Sequence, residues 1–261
     1  MTPEELRRQS AQGRFDQPTA GFCDGFVQAN LAAVPELYAG DFEEFCRNNP
    51  QPCPLLEKVG PGVHTTRHLA PGADLINVIP RYRVWENGEI QDEVQEISRY
   101  YRDDLVFFLL GCSFSFEEAL VDAGIRLRHV DQKRNVSMYR TSIPLKGAGP
   151  FHGHMVVSMR PVHHRLVALA CAVTAHFPEV HGEPVHVGYP EMIGIRDIGQ
   201  VDYGDAVEIK ENEIPVFWAC GVTPQNVLAQ SRIPFAITHS PGFMFVGNLR
   251  NEDFARCSLD R

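Results

Sequence analysis

The chain has 261 residues, enough for one large domain or two modest ones around a real core. With 44% hydrophobic and 22% charged residues it reads as a globular protein, which excludes the disordered and fibrous classes. The net charge of -9 and the lack of a basic block argue against a nucleic-acid partner, although a few arginines in a pocket could still hold an anionic substrate.

Seven cysteines stand at 23, 46, 53, 112, 171, 220 and 257, with no C-x-x-C among them. An odd count without zinc spacing predicts reduced thiols and a cytoplasmic setting. The start, MTPEELRRQS, lacks the apolar stretch of a signal peptide, and the apolar run LVFFLLGC is far too short to span a bilayer, so no membrane partner is expected.

Thr2-Pro3-Glu4-Glu5 opens a helix with N-cap and first-turn chemistry, stopped by Gly13. The spacing of Phe26, Ala29, Asn30 and Ala33 predicts a second helix over 25–34, and Phe42 with Phe45 a short third over 41–46. Residues 57–72 read as loop. Strands are predicted at 75–79 and 81–85, split at Pro80, with an Asn87-Gly88 turn after them. A helix over 94–104 should lead into the buried strand 105–110. Ser115, with Glu118 three residues on, has capping-box form for a helix reaching Asp122 and stopping at Gly124. The middle reads as strands at 136–143 and 154–160, an amphipathic helix over 163–177, strands at 184–187 and 194–198, and an acidic return over 199–213. The end resumes with a strand at 215–219, a helix from Thr223-Pro224 and a strand at 235–238.

Two stretches, Gly111-Cys112-Ser113 and Cys220-Gly221-Val222-Thr223, share one form: an apolar strand, a tight polar turn, then a helix. Such strand ends are where α/β folds bind ligands, and the pair reads either as an internal duplication or as chance similarity of two strand–turn–helix units. Cys112 or Cys220 could serve as base or nucleophile if a helix dipole lowers its pKa; the alternative is a buried, inert thiol. Ser113, and Ser115 or Thr223 as caps, could direct N–H groups at a carboxylate, or simply end their helices. Arg160, before Pro161, and Arg140 in MYRT could grip a carboxylate in bidentate fashion, or form structural ion pairs. His239 in ITHSPG is the better acid–base candidate among the histidines. Asn30 could bond substrate or fasten a loop. His152 and His154 would share one strand face, but a metal site needs a third ligand, so neither metal nor cofactor is expected. No P-loop, G-x-G-x-x-G, H-E-x-x-H or EF-hand spacing occurs.

Taken in order, QANL, DFEEFCRNNPQPCPLLE, RDDLVFFLLGCSFSFEEAL, RNVSMYRT, MVVSMRP, HGEPVHVG, PVFWACGVTPQ and ITHSPGFMFV resemble the D-glutamate cyclase family over about 21–246. Phe243 stands where a PGHMF-like histidine is common. The resemblance implies an α/β fold: a three-layer αβα domain formed by 1–125 plus 214–261, with a smaller α+β two-layer domain, 126–213, inserted. It also implies a hydro-lyase acting on a small amino or hydroxy acid, with cyclisation of D-glutamate to 5-oxo-D-proline as the named reaction. The partner expected is thus a small carboxylate-bearing substrate, with a homodimer as the expected assembly. The other reading left open is a non-catalytic binder of a small carboxylate or lactam. The two strand-end turns are expected to meet in space.

Overall fold

The computed structural model describes residues 1–255, so Cys257 lies outside the described residues. Helix α1, Pro3–Ala11, is capped as expected: Thr2 Oγ1 accepts from the Glu5 N–H at 3.2 Å. The next element corrects the sequence reading. Residues Phe26–Pro35 form strand β1, and every residue after Phe26 is buried. Both faces of β1 are covered, which removes the in–out alternation that betrays a half-buried strand. Its three alanines then mimic helical composition. Tertiary pairing overrides that propensity.

Helix α2 is Glu36–Asn48 and strand β2 is Leu55–Val59, the latter inside a stretch read partly as loop. Strand β3, Tyr82–Glu86, and strand β4, Glu89–Val94, form a hairpin. Its Asn87 and Gly88 both have positive φ, 51° and 85°, the twist that a two-residue hairpin loop requires. Residues 75–79 are not a strand. Tyr82 Oη accepts from the Ile79 N–H (3.0 Å) and donates to the Leu75 carbonyl (2.9 Å), tying the segment into turns. The helix predicted over 94–104 is also absent; a single 3-10 turn, Ser98–Tyr100, precedes strand β5, Leu105–Gly111.

After β5 come a 3-10 turn, Ser113–Phe116, helix α3, Glu117–Asp122, and the short helix α4, Arg128–Asp131. Strands β6, Ser137–Pro144, and β7, His154–His163, follow, then helix α5, Val167–Ala175, shorter than predicted. Strand β8 is His186–Val187, and residues 194–198 form none. Strand β9 is Glu213–Ala219, helix α6 Thr223–Ser231, strand β10 Ala236–His239 and strand β11 Phe245–Arg250.

The strands form two sheets, and every pairing between them is antiparallel. The large sheet runs β2-β5-β1-β10-β3-β4, with β11 also on β1; the small one runs β6-β7-β9-β8. The fold is therefore a mixed α/β arrangement of two antiparallel sheets with helices. Its strand–turn–helix units are not the parallel crossover units in which such turns usually occur. Side chains of β1 alternate between two cores. Val27, Ala29, Leu31 and Ala33 face Trp218, Val216 and Val162 of the small sheet, together with Phe116 and Ala170. Ala32 and Val34 face Phe42, Phe45 and Val227 of α2 and α6. Among the described residues no helix is long and apolar enough to cross a membrane.

Candidate functional site

The two turns share two hydrogen-bond patterns. In each, the N–H three residues after the cysteine donates to the cysteine carbonyl: Ser115 to Cys112 at 3.1 Å, and Thr223 to Cys220 at 2.9 Å. In each, that residue's hydroxyl bridges both polar groups of a neighbouring strand. Ser115 Oγ accepts from the Gln28 N–H (2.9 Å) and donates to the Gln28 carbonyl (3.4 Å). Thr223 Oγ1 does the same with Val156, at 3.1 and 3.2 Å. These hydroxyls continue the ladders that end at Ala29–Gly111 and Val157–Ala219. The capping reading is thereby corrected. Neither α3 nor α6 has a side-chain cap, because Ser115 and Thr223 complete strands instead.

The turns meet, as expected, although they leave different sheets. Between them lies a cavity of about 20 Å³, the room of a single water molecule. The first turn supplies Cys112 and Ser113, the second Cys220 and Gly221, and Asn30 and His239 close the space. Asn30 is on a strand rather than a helix, and it reaches across from β1. Its Nδ2 donates to the Gly111 carbonyl at 2.6 Å. Its carboxamide lies so close to Gly221 that a Cβ there would sit 1.8 Å from Nδ2. Gly221 is thus glycine because Asn30 fills the place of its side chain.

His239 occupies a gap in the large sheet. Strand β10 pairs with β1 at Ala32 and Ala33, and β11 pairs at Phe26 to Ala29, leaving Leu31 between them. The imidazole fills that place. Its Nδ1 lies 3.1 Å from the Leu31 nitrogen and 3.2 Å from the Leu31 oxygen, so the backbone offers it a partner in either tautomer. The ring is 1% exposed, and burial pulls its pKa down to about 4 against the opposing Leu31 hydrogen bond. It is neutral at physiological pH.

Burial also dominates the two thiols. It raises the Cys112 pKa far above its ordinary value, and that of Cys220 to about 11, outweighing the Phe114 and Val222 N–H groups that face them. Both are protonated thiols, so the condition for a resting thiolate is not met.

Arg160 is almost wholly enclosed, 1% exposed. Its Nε donates to Glu117 Oε1 (2.9 Å), its Nη1 to Ser158 Oγ (3.0 Å) and its Nη2 to Ser113 Oγ (3.0 Å). The guanidinium also lies against the Phe116 and Trp218 rings, 5.3 and 5.4 Å from their centroids. Glu117 Oε1 stands 3.1 Å from His129 Nε2 as well. Burial pushes the Glu117 carboxyl up, but His129 and Arg160 together hold it below its ordinary value. Arg160 therefore addresses the cavity through the Ser113 hydroxyl. Glu117 was missed in the sequence because Glu118 has the capping-box spacing; the adjacent acid is the one turned inward.

Arg140 is not brought to this place. Its side chain is 58% exposed and donates to Tyr203 Oη at 3.0 Å, although Met138, two residues earlier, lines the cavity. His152 and His154 are exposed, and among the described residues no group of three or more potential metal ligands forms. Asn135 and Gly242 also line the cavity side by side; a Cβ on Gly242 would sit 2.6 Å from Asn135 Nδ2.

A family model described as D-glutamate cyclase matches residues 106–248, which span both turns, Arg160 and His239. The chain belongs to the D-glutamate cyclase family. A Stutzerimonas stutzeri protein named "Putative hydro-lyase" is 52% identical over 252 residues, covering 97% of this chain and 95% of its own. A Bordetella petrii relative of the same description is 53% identical, covering 97% and 96%. YcsI of Bacillus subtilis, likewise named a hydro-lyase, is 48% identical, covering 98% and 99%. Among solved structures, a nitrogen repressor-like protein from Methanococcus jannaschii aligns over 94% of this chain and 97% of its own, at 9% identity and a TM-score of 0.39.

Proposed function

We propose that this chain is a hydro-lyase that acts on a small amino or hydroxy acid where the two turns meet, with D-glutamate to 5-oxo-D-proline plus water as its reaction. The observation that carries the reading is the meeting of a buried neutral imidazole and two protonated thiols in one cavity. Loss of water needs one group to take a proton and another to give one to departing hydroxide. In this reading His239 takes the ammonium proton of the substrate, so that the amine attacks the γ-carboxyl carbon. The nitrogen of the new ring then passes its second surplus proton to a γ-carboxyl oxygen, which leaves as hydroxide; the Cys220 thiol protonates that hydroxide to water and recovers its proton from the imidazolium. Ser113, polarised by Arg160, donates a hydrogen bond to the substrate's carboxylate or to the oxyanion formed on attack. Ring closure is intramolecular, so holding one folded conformer of the substrate supplies much of the rate. The family membership and the names of the relatives support the reaction class.

The cavity now admits only a water, so the amino acid enters with displacement of lining side chains, of which Met138 and Met244 are the most adaptable. In the same reading 1–125 plus 214–261 form the larger unit, with α2 and α6 on one face of the large sheet, although its strand β9 belongs to the small sheet that covers the other face. Residues 126–213 form the insert that brings Asn135 and Met138 to the wall.

The test is chiral chromatography of the protein with D- and L-glutamate and D- and L-5-oxoproline, in both directions. Conversion confined to the D-isomers, lost in His239→Gln and in Ser113→Ala with circular dichroism unchanged, is the expected result. A folded wild-type protein that converts none of the four sinks the D-glutamate assignment. Unimpaired turnover in His239→Gln sinks the role given to the imidazole.

A further inference from the structure

A second and larger space lies on the far side of Phe114, between the loop preceding β1 and helices α3 and α4. Its volume is about 340 Å³, within the range of small-molecule sites. We propose that this groove binds an organic ammonium, an aliphatic amine whose charged head meets its acidic residues and whose apolar tail covers its apolar ones. The proposal does not rest on the hydro-lyase reading.

The polar residues of the lining offer acceptors. Asp24 and Glu118 are exposed carboxylates, and among the described residues neither has a Lys, Arg or His partner within salt-bridge distance. Asn251 stands beside them and is only 7% exposed. Its Nδ2 donates to Glu118 Oε2 at 3.4 Å, which fixes the orientation of the amide and leaves Oδ1 as the other polar atom. That oxygen is buried and, among the described residues, has no hydrogen-bond partner. A buried carbonyl without a donor costs about 1–3 kcal/mol, so a ligand that brings a donor there is favoured. An ammonium head carries three donors and a positive charge, which suits two carboxylates and one carbonyl. The third acid in the wall, Glu117, is engaged by Arg160 and His129 and adds little net charge. Beside the wall, the Arg250 guanidinium lies over the Phe26 ring, 4.6 Å from its centroid.

The rest of the lining is largely apolar: Phe114 belongs to it, and Val121 and Val130 have 54% and 42% of their surface exposed, unusual for valine. A bare metal ion would leave this wall uncovered, and a carboxylate would meet like charge. An alkylamine covers the valines and brings its charge to the acids.

The experiment is isothermal titration calorimetry and thermal melting with three probes of equal length: n-hexylamine, 1-hexanol and hexanoate. Hexylamine is expected to bind and to raise the melting temperature, with affinity that falls as salt rises. The alcohol and the acid should each bind at least about tenfold more weakly, because they lack the charge-assisted hydrogen bonds. Asp24→Asn with Glu118→Gln should weaken hexylamine by about tenfold or more. Both positions are exposed, so the fold should persist, and unchanged circular dichroism checks it. Val121→Trp, which fills part of the apolar lining, should abolish binding. No binding of hexylamine to the wild type overturns the proposal. So does equal binding of all three probes, or hexylamine affinity unchanged in either variant. D-Glutamate turnover is measured separately and succeeds or fails independently of this result.

Discussion

Gly221→Ala is the sharpest probe of the way the two turns meet. A Cβ at this position would sit 1.8, 2.1 and 2.4 Å from Asn30 Nδ2, Cγ and Oδ1. No real Cβ tolerates such distances, so the carboxamide must swing away. It then loses the 2.6 Å bond to the Gly111 carbonyl inside a closed interior. Overpacking of this kind costs about 1–3 kcal/mol, and an orphaned buried acceptor about 1–3 more. The useful comparison is a double-mutant cycle with Asn30→Ala. That change alone should cost about 1–3 kcal/mol for the Gly111 carbonyl left unpaired. Once Asn30 is alanine, the space beside Gly221 is open, and adding Gly221→Ala should cost less than about 1 kcal/mol. Urea unfolding of the four proteins, followed by fluorescence with the denaturant slopes compared, measures the coupling, expected at about 2 kcal/mol or more. Additive single effects would refute the claim that the Asn30 side chain stands in for a residue-221 side chain.

Other consequences are as direct. His239 and His181 are both buried, and desolvation lowers each to about 4. The unfolded chain binds their protons from about pH 6.5 downward while the folded chain does not, so stability should be intact above that pH and lost as pH falls toward 4. Urea midpoints at pH 7.5, 6 and 5 should show the loss, and His239→Gln should flatten it; an unchanged slope in that variant would count against the imidazole as a source. Iodoacetamide should alkylate Cys112 and Cys220 hardly at all in the native protein at pH 8, because burial keeps both as thiols; rapid labelling of either by mass spectrometry would contradict the protonation assigned here. Glu117→Ala should destabilise by about 3–5 kcal/mol by leaving Arg160 charged and enclosed, whereas Arg140→Ala should stay within about 1 kcal/mol. Equal urea midpoints for those two variants would show that the Glu117–Arg160 pair does not behave as a buried one.

Local signals were legible wherever the chain's own chemistry sets the conformation. Thr2 capping, the Asn87-Gly88 hairpin, the stop at Gly124 and the apolar run of β5 all follow from residues within a few positions of each other. The meeting of the turns was anticipated from their shared pattern of strand, cysteine and hydroxyl. What escaped was set by distant partners. β1 looked helical because its burial on both faces comes from elements up to two hundred residues away, and no periodicity within its own sequence records that. Ser115 carried the spacing of a cap, yet its hydroxyl is claimed by Gln28, 87 positions earlier. Arg160 could be placed at a strand end from sequence, but its enclosure by Phe116, Trp218 and Glu117 could not. The fate of the thiols was equally hidden, since burial and not the adjacent N–H groups decides their protonation.

The split neighbour of β1 bears on how the protein is made. The central strand of the large sheet is synthesised early, but along one edge its partners are β10 and β11, and Leu31 waits for an imidazole 208 positions further on. Until those residues leave the ribosome, that edge of β1 is an open row of amides and carbonyls flanked by apolar side chains. Contacts of such sequence separation form slowly, and unpaired strand edges invite self-association in the interval. The nascent chain is therefore at its most vulnerable late in translation, and shielding by a chaperone during that window should matter more to its yield than the stability of the finished fold.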